Sequence, residues 1–135
     1  MKFLVVEDVR PVLKDEMALI KELVPDSQVF GCTDMKEALE YASKEFFHVI
    51  LLDIELGGSQ GNGITLAKQM KDIQPHAHII FVTAFPQYAL EAFSIHATGY
   101  LLKPMQKEDL KRELTFLYGE EPKVEKRIRV QTFGN

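Results

Sequence analysis

Val49-Ile50-Leu51-Leu52-Asp53, four apolar residues closed by a carboxylate, is the stretch on which the fold turns. An uninterrupted apolar run this short reads as a strand buried on both faces of a parallel sheet. The same pattern recurs on either side. Phe3-Leu4-Val5-Val6 ends in Glu7-Asp8, Ile79-Ile80-Phe81-Val82 ends in Thr83, and Tyr100-Leu101-Leu102 ends in Lys103-Pro104. Gln28 to Cys32 forms a weaker fifth strand. Amphipathic helical patterns separate the strands: Pro11 to Leu23, one opened by Asp34-Met35-Lys36-Glu37, one through Ile64, Leu66, Ala67 and Met70, one from Pro86 through Ala89, Leu90 and Phe93, and one through Leu110, Leu114 and Leu117. Alternating strands and helices predict a doubly wound α/β domain: a five-stranded parallel sheet in the order 2-1-3-4-5, flavodoxin-like, with five flanking helices.

Ligand sites in such sheets lie at the carboxyl ends of the strands. An acidic pair, a lone Asp, a hydroxyl and an ammonium are therefore expected to meet in one crevice. Three carboxylates within about 5 Å of one another repel by roughly 3 kcal/mol per pair at an effective dielectric near 20. A hard divalent cation removes that cost, and Mg²⁺ suits an all-oxygen set that leaves room for waters and phosphate oxygens. A carboxylate can also attack phosphorus to give an acyl phosphate. Lys103 would neutralise a phosphoryl oxygen, and the Thr83 hydroxyl could donate to the new phosphate.

The bulk composition bounds the rest. At 135 residues the chain suffices for one domain with a real core. A net charge of −4 lacks the basic footprint of a nucleic-acid binder. The single cysteine, Cys32, cannot close an internal disulfide, and its apolar setting predicts a small buried side chain in a reducing, cytoplasmic protein. No apolar run approaches the length of a membrane span. Gly57-Gly58-Ser59-Gln60-Gly61-Asn62-Gly63 reads as a loop. After Tyr118 the character changes: residues 119–127 resemble a linker, and 128–133 alternate like a half-buried strand without a partner.

Taken together, these motifs resemble the receiver domain of bacterial two-component response regulators. They are an acidic pair after the first strand, Asp ending the third, Thr-Ala ending the fourth, and an aromatic three residues before Lys-Pro ending the fifth. The resemblance covers residues 2 to 118 and implies roles residue by residue. Asp53 is the expected phosphoacceptor. Asp8 is an expected direct Mg²⁺ ligand, joined by Asp53 and the carbonyl of Glu55, with Glu7 holding a metal-bound water. Lys103, Thr83 and Ala84 are expected at the phosphate, Thr83 and Tyr100 as the switch pair, and Pro104 after a cis bond. The implied partners are a sensor histidine kinase and a second copy docking through the fourth helix, fifth strand and fifth helix. DNA is expected to be met only through an effector domain, of which residues 128–135 would be the first strand. One departure stands out. The family's Pro four residues after the phosphoacceptor is Gly57 here, and the helix-side glycine comes at position 63, so the loop is longer.

Three other readings compete with this one. A haloacid-dehalogenase-type phosphatase also combines Asp, Thr, Lys and an acidic pair, but its nucleophile comes first in the chain and its acidic pair last. A flavodoxin-like cofactor binder needs a hydroxyl- and glycine-rich phosphate loop where Glu7-Asp8-Val9-Arg10-Pro11 stands. A receiver that never accepts phosphate would have no need of the complete residue set. His76-Ala77-His78 has strand-like spacing but no third ligand close in sequence.

Overall fold

The computed structural model describes residues 1–58 and 61–119. The expected linker beyond Gly119 and the expected strand at 128–133 lie outside the described residues. Five strands, β1 (Lys2–Val6), β2 (Gln28–Cys32), β3 (Val49–Leu52), β4 (His78–Thr83) and β5 (Gly99–Leu102), form one parallel sheet in the order β2-β1-β3-β4-β5. The helices are α1 (Arg10–Leu23), α2 (Met35–Lys44), α3 (Asn62–Ile73), α4 (Ala89–Ser94) and α5 (Lys107–Tyr118).

Alternation along the strands divides the core in two. Phe3, Val5, Val49, Leu51, Ile80 and Val82 face one side, where Leu13, Ile20 and Leu23 of α1 and Leu110 and Leu114 of α5 cover them. Leu4, Val6, Ile50, Leu52, Ile79 and Phe81 face the other, under Ala38 and Ala42 of α2, Leu66, Ala67 and Met70 of α3 and Ala92 of α4. Both faces of every inner strand are thus dry, which explains why the strands read as continuous apolar runs.

Local chemistry sets the helix ends. Asp34 caps α2, its Oδ1 accepting from the Glu37 amide at 2.8 Å, as the carboxylate-x-x-Glu pattern predicts. Pro11 sits in the first turn of α1, where a missing N–H costs nothing. The fourth helix departs from expectation. Pro86–Tyr88 forms a 3₁₀ turn, and α4 is only six residues long. No side chain caps its start, and His96 takes a left-handed φ of 67° just beyond its end. So short a helix has one buried position, filled by Ala92; Leu90 stands in solvent, and Phe93 is half exposed with its ring against Tyr100.

Neighbouring phenylalanines before β3 separate packing from exposure. Phe47 is fully buried, ringed edge-on by Phe30 at 5.5 Å and Tyr41 at 6.5 Å, whereas Phe46 is 53% exposed. Phe47→Ala is expected to lower unfolding free energy by about 3–5 kcal/mol. Phe46→Ala is expected to change it by about 0.5 kcal/mol or less. Urea denaturation checks both, and equal losses would contradict this division.

Candidate functional site

Register brings the strand ends together. Val6 of β1 pairs with Leu52 of β3, so Glu7 and Asp53 emerge side by side. Thr83 of β4 pairs with Leu102 of β5, which places Lys103 one step further along the same edge. Glu7, Asp8 and Asp53 each offer an oxygen within 4.8 Å of the others, and Glu7 and Asp53 are 0% and 6% exposed.

Lys103 balances two of these charges. Its Nζ lies 2.8 Å from Asp53 Oδ2 as a hydrogen bond, and 2.5 Å from Glu7 Oε1 as an ion pair without hydrogen-bond alignment. Burial works against the Lys103 ammonium, but the two carboxylates outweigh it and its pKa rises. Burial also raises the Glu7 pKa, only partly countered by Lys103 and by the Val9 amide, which donates to Glu7 Oε2 at 2.9 Å. Asp8 has a neutral partner: its Oδ2 accepts from the Gly57 amide at 3.0 Å. One ammonium thus serves two of three gathered carboxylates. An all-oxygen set with that charge excess fits a hard divalent cation.

The long loop is built around this edge. Gly57 and Gly58 take left-handed φ values of 63° and 78°. Asn62 clamps Leu56 from both sides, accepting from its amide at 2.8 Å and donating to its carbonyl at 2.6 Å. At Gly63 a Cβ would stand 2.1 Å from the Asp53 carbonyl oxygen, so only glycine lets α3 start this close to the strand end.

The remaining expected residues sit around the crevice. Thr83 is fully buried, and its Oγ1 accepts from the Phe85 amide at 3.2 Å. Ala84 follows it at the surface. Tyr100 is half-buried between the Phe81 and Phe93 rings and donates its hydroxyl to the Phe85 carbonyl. The Lys103–Pro104 bond is cis. The Glu55 amide approaches Asp53 Oδ1 at 3.4 Å, while its carboxylate accepts from the Tyr88 hydroxyl at 2.9 Å. His76 and His78 take no part in the metal-capable cluster found among the described residues, and His78 Nδ1 lies 3.3 Å from Thr98 Oγ1.

Two features escaped the sequence reading. Tyr88 is one. The other is Glu16, 4% exposed within α1, with Oε2 unpartnered. Burial, then repulsion from Glu7, pushes its pKa up to about 8. Its signal was its spacing: Leu13, Glu16, Ile20 and Leu23 form the buried stripe of the helix.

The response regulator receiver domain family matches residues 3–115. The chain is 35% identical over 115 residues to the sensory transduction protein LytT of Bacillus anthracis, covering 84% of this chain and 46% of that one. Among solved structures it resembles the response regulatory domain of mrkE from Klebsiella pneumoniae, with a TM-score of 0.76, 28% identity, and coverage of 88% and 96%. It also resembles a Burkholderia pseudomallei response regulator solved with a phosphorylated aspartic acid, calcium ion and citrate. There the TM-score is 0.73 and the identity 25%, over 87% of this chain and 71% of that one. The chain belongs to the response regulator receiver family, whose members are signalling domains. It spans about half the length of the curated relatives it matches. Among the described residues no helix is long and apolar enough to cross a membrane.

Glu16 gives the domain a stability that depends on pH. Its carboxyl keeps a proton in the folded state up to about pH 8 and loses it near 4.5 when unfolded. Between these values the folded state binds more protons, so stability falls as pH rises. Glu16→Gln removes that fall. The wild type is expected to lose on the order of 4 kcal/mol more than the variant between pH 4.5 and 8, read by urea unfolding at several pH values. Parallel pH profiles would show that Glu16 ionises normally.

Proposed function

We propose that the domain takes a phosphoryl group from a sensor histidine kinase onto Asp53 and relays its arrival to a partner surface. The observation that carries this reading is the Lys103 contact to Asp53 inside the three-carboxylate cluster. In the transfer the P–N bond of a phosphohistidine breaks and a P–O bond to an Asp53 oxygen forms. Lys103 is placed to balance charge on the phosphoryl oxygens, as its contact with Asp53 supports. Asp8, Asp53 and the Glu55 carbonyl would hold Mg²⁺, with Glu7 on a bound water. The ion would supply neutralisation of the phosphoryl oxygens. Thr83 would exchange the Phe85 amide for the phosphate, and the Ala84 amide would donate beside it. In this reading the domain is a switch acting in the cytoplasm, not an enzyme. The phosphorylated aspartic acid of the Burkholderia pseudomallei protein supports the assignment by analogy.

The output surface follows from exposure. Leu90 and Phe93 on α4, Leu102 on β5 and Phe116 on α5 leave large apolar side chains in solvent, Leu90 at 88% and Phe116 at 79%. Thr83 and Tyr100 both bond the Phe85 backbone, so movement of Thr83 toward a phosphate would disturb the turn leading to α4. We read this face as a homodimer surface formed on phosphorylation. The domain limits proposed are 1–118 for the receiver and 119–127 for a linker. Residues 128–135 would open an effector domain that meets DNA and through which transcription is regulated.

Acetyl phosphate with Mg²⁺ is expected to add one phosphoryl group by mass spectrometry, lost in Asp53→Ala and without Mg²⁺. Undiminished labelling of the variant would sink the assignment. Beryllofluoride is expected to shift the protein toward a dimer in analytical ultracentrifugation, and Leu90→Ser with Phe116→Ser to keep it monomeric. A beryllofluoride-bound protein that stays monomeric rules out this output.

A further inference from the structure

Glu55 stands two residues after Asp53, yet its carboxylate is not among the gathered oxygens, which are those of Glu7, Asp8 and Asp53. Tyr88 holds it aside. The Tyr88 hydroxyl donates to Glu55 Oε2 at 2.9 Å, joining the segment after β3 to the 3₁₀ turn before α4. Both side chains are half-buried. The Tyr88 ring packs edge-on to Phe85 at 6.4 Å, and its Cε1 lies 4.0 Å from where a Cβ at Gly61 would stand. The Glu55 amide already lies 3.4 Å from Asp53 Oδ1, so a released Glu55 side chain starts beside the crevice.

We propose that Tyr88 is a positioning residue: its hydroxyl clasps the Glu55 carboxylate outside the crevice and keeps the acidic cluster at three members. A fourth carboxylate at the cluster has two opposed effects. It attracts a divalent cation more strongly, and it repels an incoming anionic phosphoryl donor. The clasp therefore trades metal affinity for access of the phosphodonor. The donor half of this inference rests on the reading of Asp53 as phosphoacceptor; the metal half does not.

Tyr88→Phe keeps the ring and removes the bond. Isothermal titration with Mg²⁺ alone is expected to show binding about three- to tenfold tighter than wild type. Labelling by acetyl phosphate at saturating Mg²⁺ is expected to slow by a similar factor. In the Glu55→Gln background, which has no fourth charge to release, Tyr88→Phe is expected to change neither quantity. Wild-type Mg²⁺ affinity in a folded Tyr88→Phe protein overturns the clasp. So does an effect of equal size in the Glu55→Gln background, which would show a merely structural role. Should Tyr88→Phe fail to fold, Tyr88→Leu, which likewise has no donor for Glu55, takes its place in the same titration. A wild-type protein that accepts no phosphoryl group would overturn the Asp53 reading, and the Mg²⁺ titration would still decide the clasp.

Discussion

A single ammonium makes the acidic edge of this sheet possible. Lys103 lies between Asp53 and Glu7, two carboxylates that parallel register forces to emerge side by side. Each carboxylate is deeply buried, and without a cation one of them would have to keep its proton. The cation arrives from β5, two strands away from β3. Sheet closure from β3 through β4 to β5 is therefore also charge compensation, so folding and site assembly are one event. The compensation is incomplete: Asp8 relies on a backbone amide of the loop, which leaves the edge still attractive to a hard cation.

The arrangement also explains how a local change could travel. Thr83 and Tyr100 lie on adjacent strands and grip the same residue, Phe85, one through its amide and the other through its carbonyl. Phe85 begins the turn that leads into α4, and α4 is short and anchored inward by little more than Ala92. An element with so few buried contacts is the one expected to shift at low cost. The sheet core, dry on both faces, is not.

Much of this was legible in the sequence because burial on both faces leaves a plain mark. The strands show as apolar runs, and the residues that end them, Asp8, Asp53, Thr83 and Lys103, are where the chemistry gathers. What escaped the reading depends on contacts between distant residues. Glu16 lies inside with Leu13, Ile20 and Leu23, although a carboxylate in a helix is ordinarily a solvent-facing charge. The Tyr88–Glu55 bond spans 33 residues and has no local signature. The apolar residues that mark the fourth helix, Ala89, Leu90 and Phe93, do not say whether their face is covered, because periodicity reports an apolar face and not what packs on it.

The loop after Asp53 has a further implication for engineering. Its near end is tied by the Asp8–Gly57 bond, its far end by Asn62 gripping Leu56, and Gly63 locks the helix start against the Asp53 carbonyl. Gly58, with a left-handed φ of 78°, lies outside these ties, and a side chain added there would meet open space. This makes the Gly58 end of the loop a natural port for grafted peptides or reporter modules. A guest joined there would sit near the acidic edge without bearing on Asp53, and a sensor for the domain's own state could be mounted at that point.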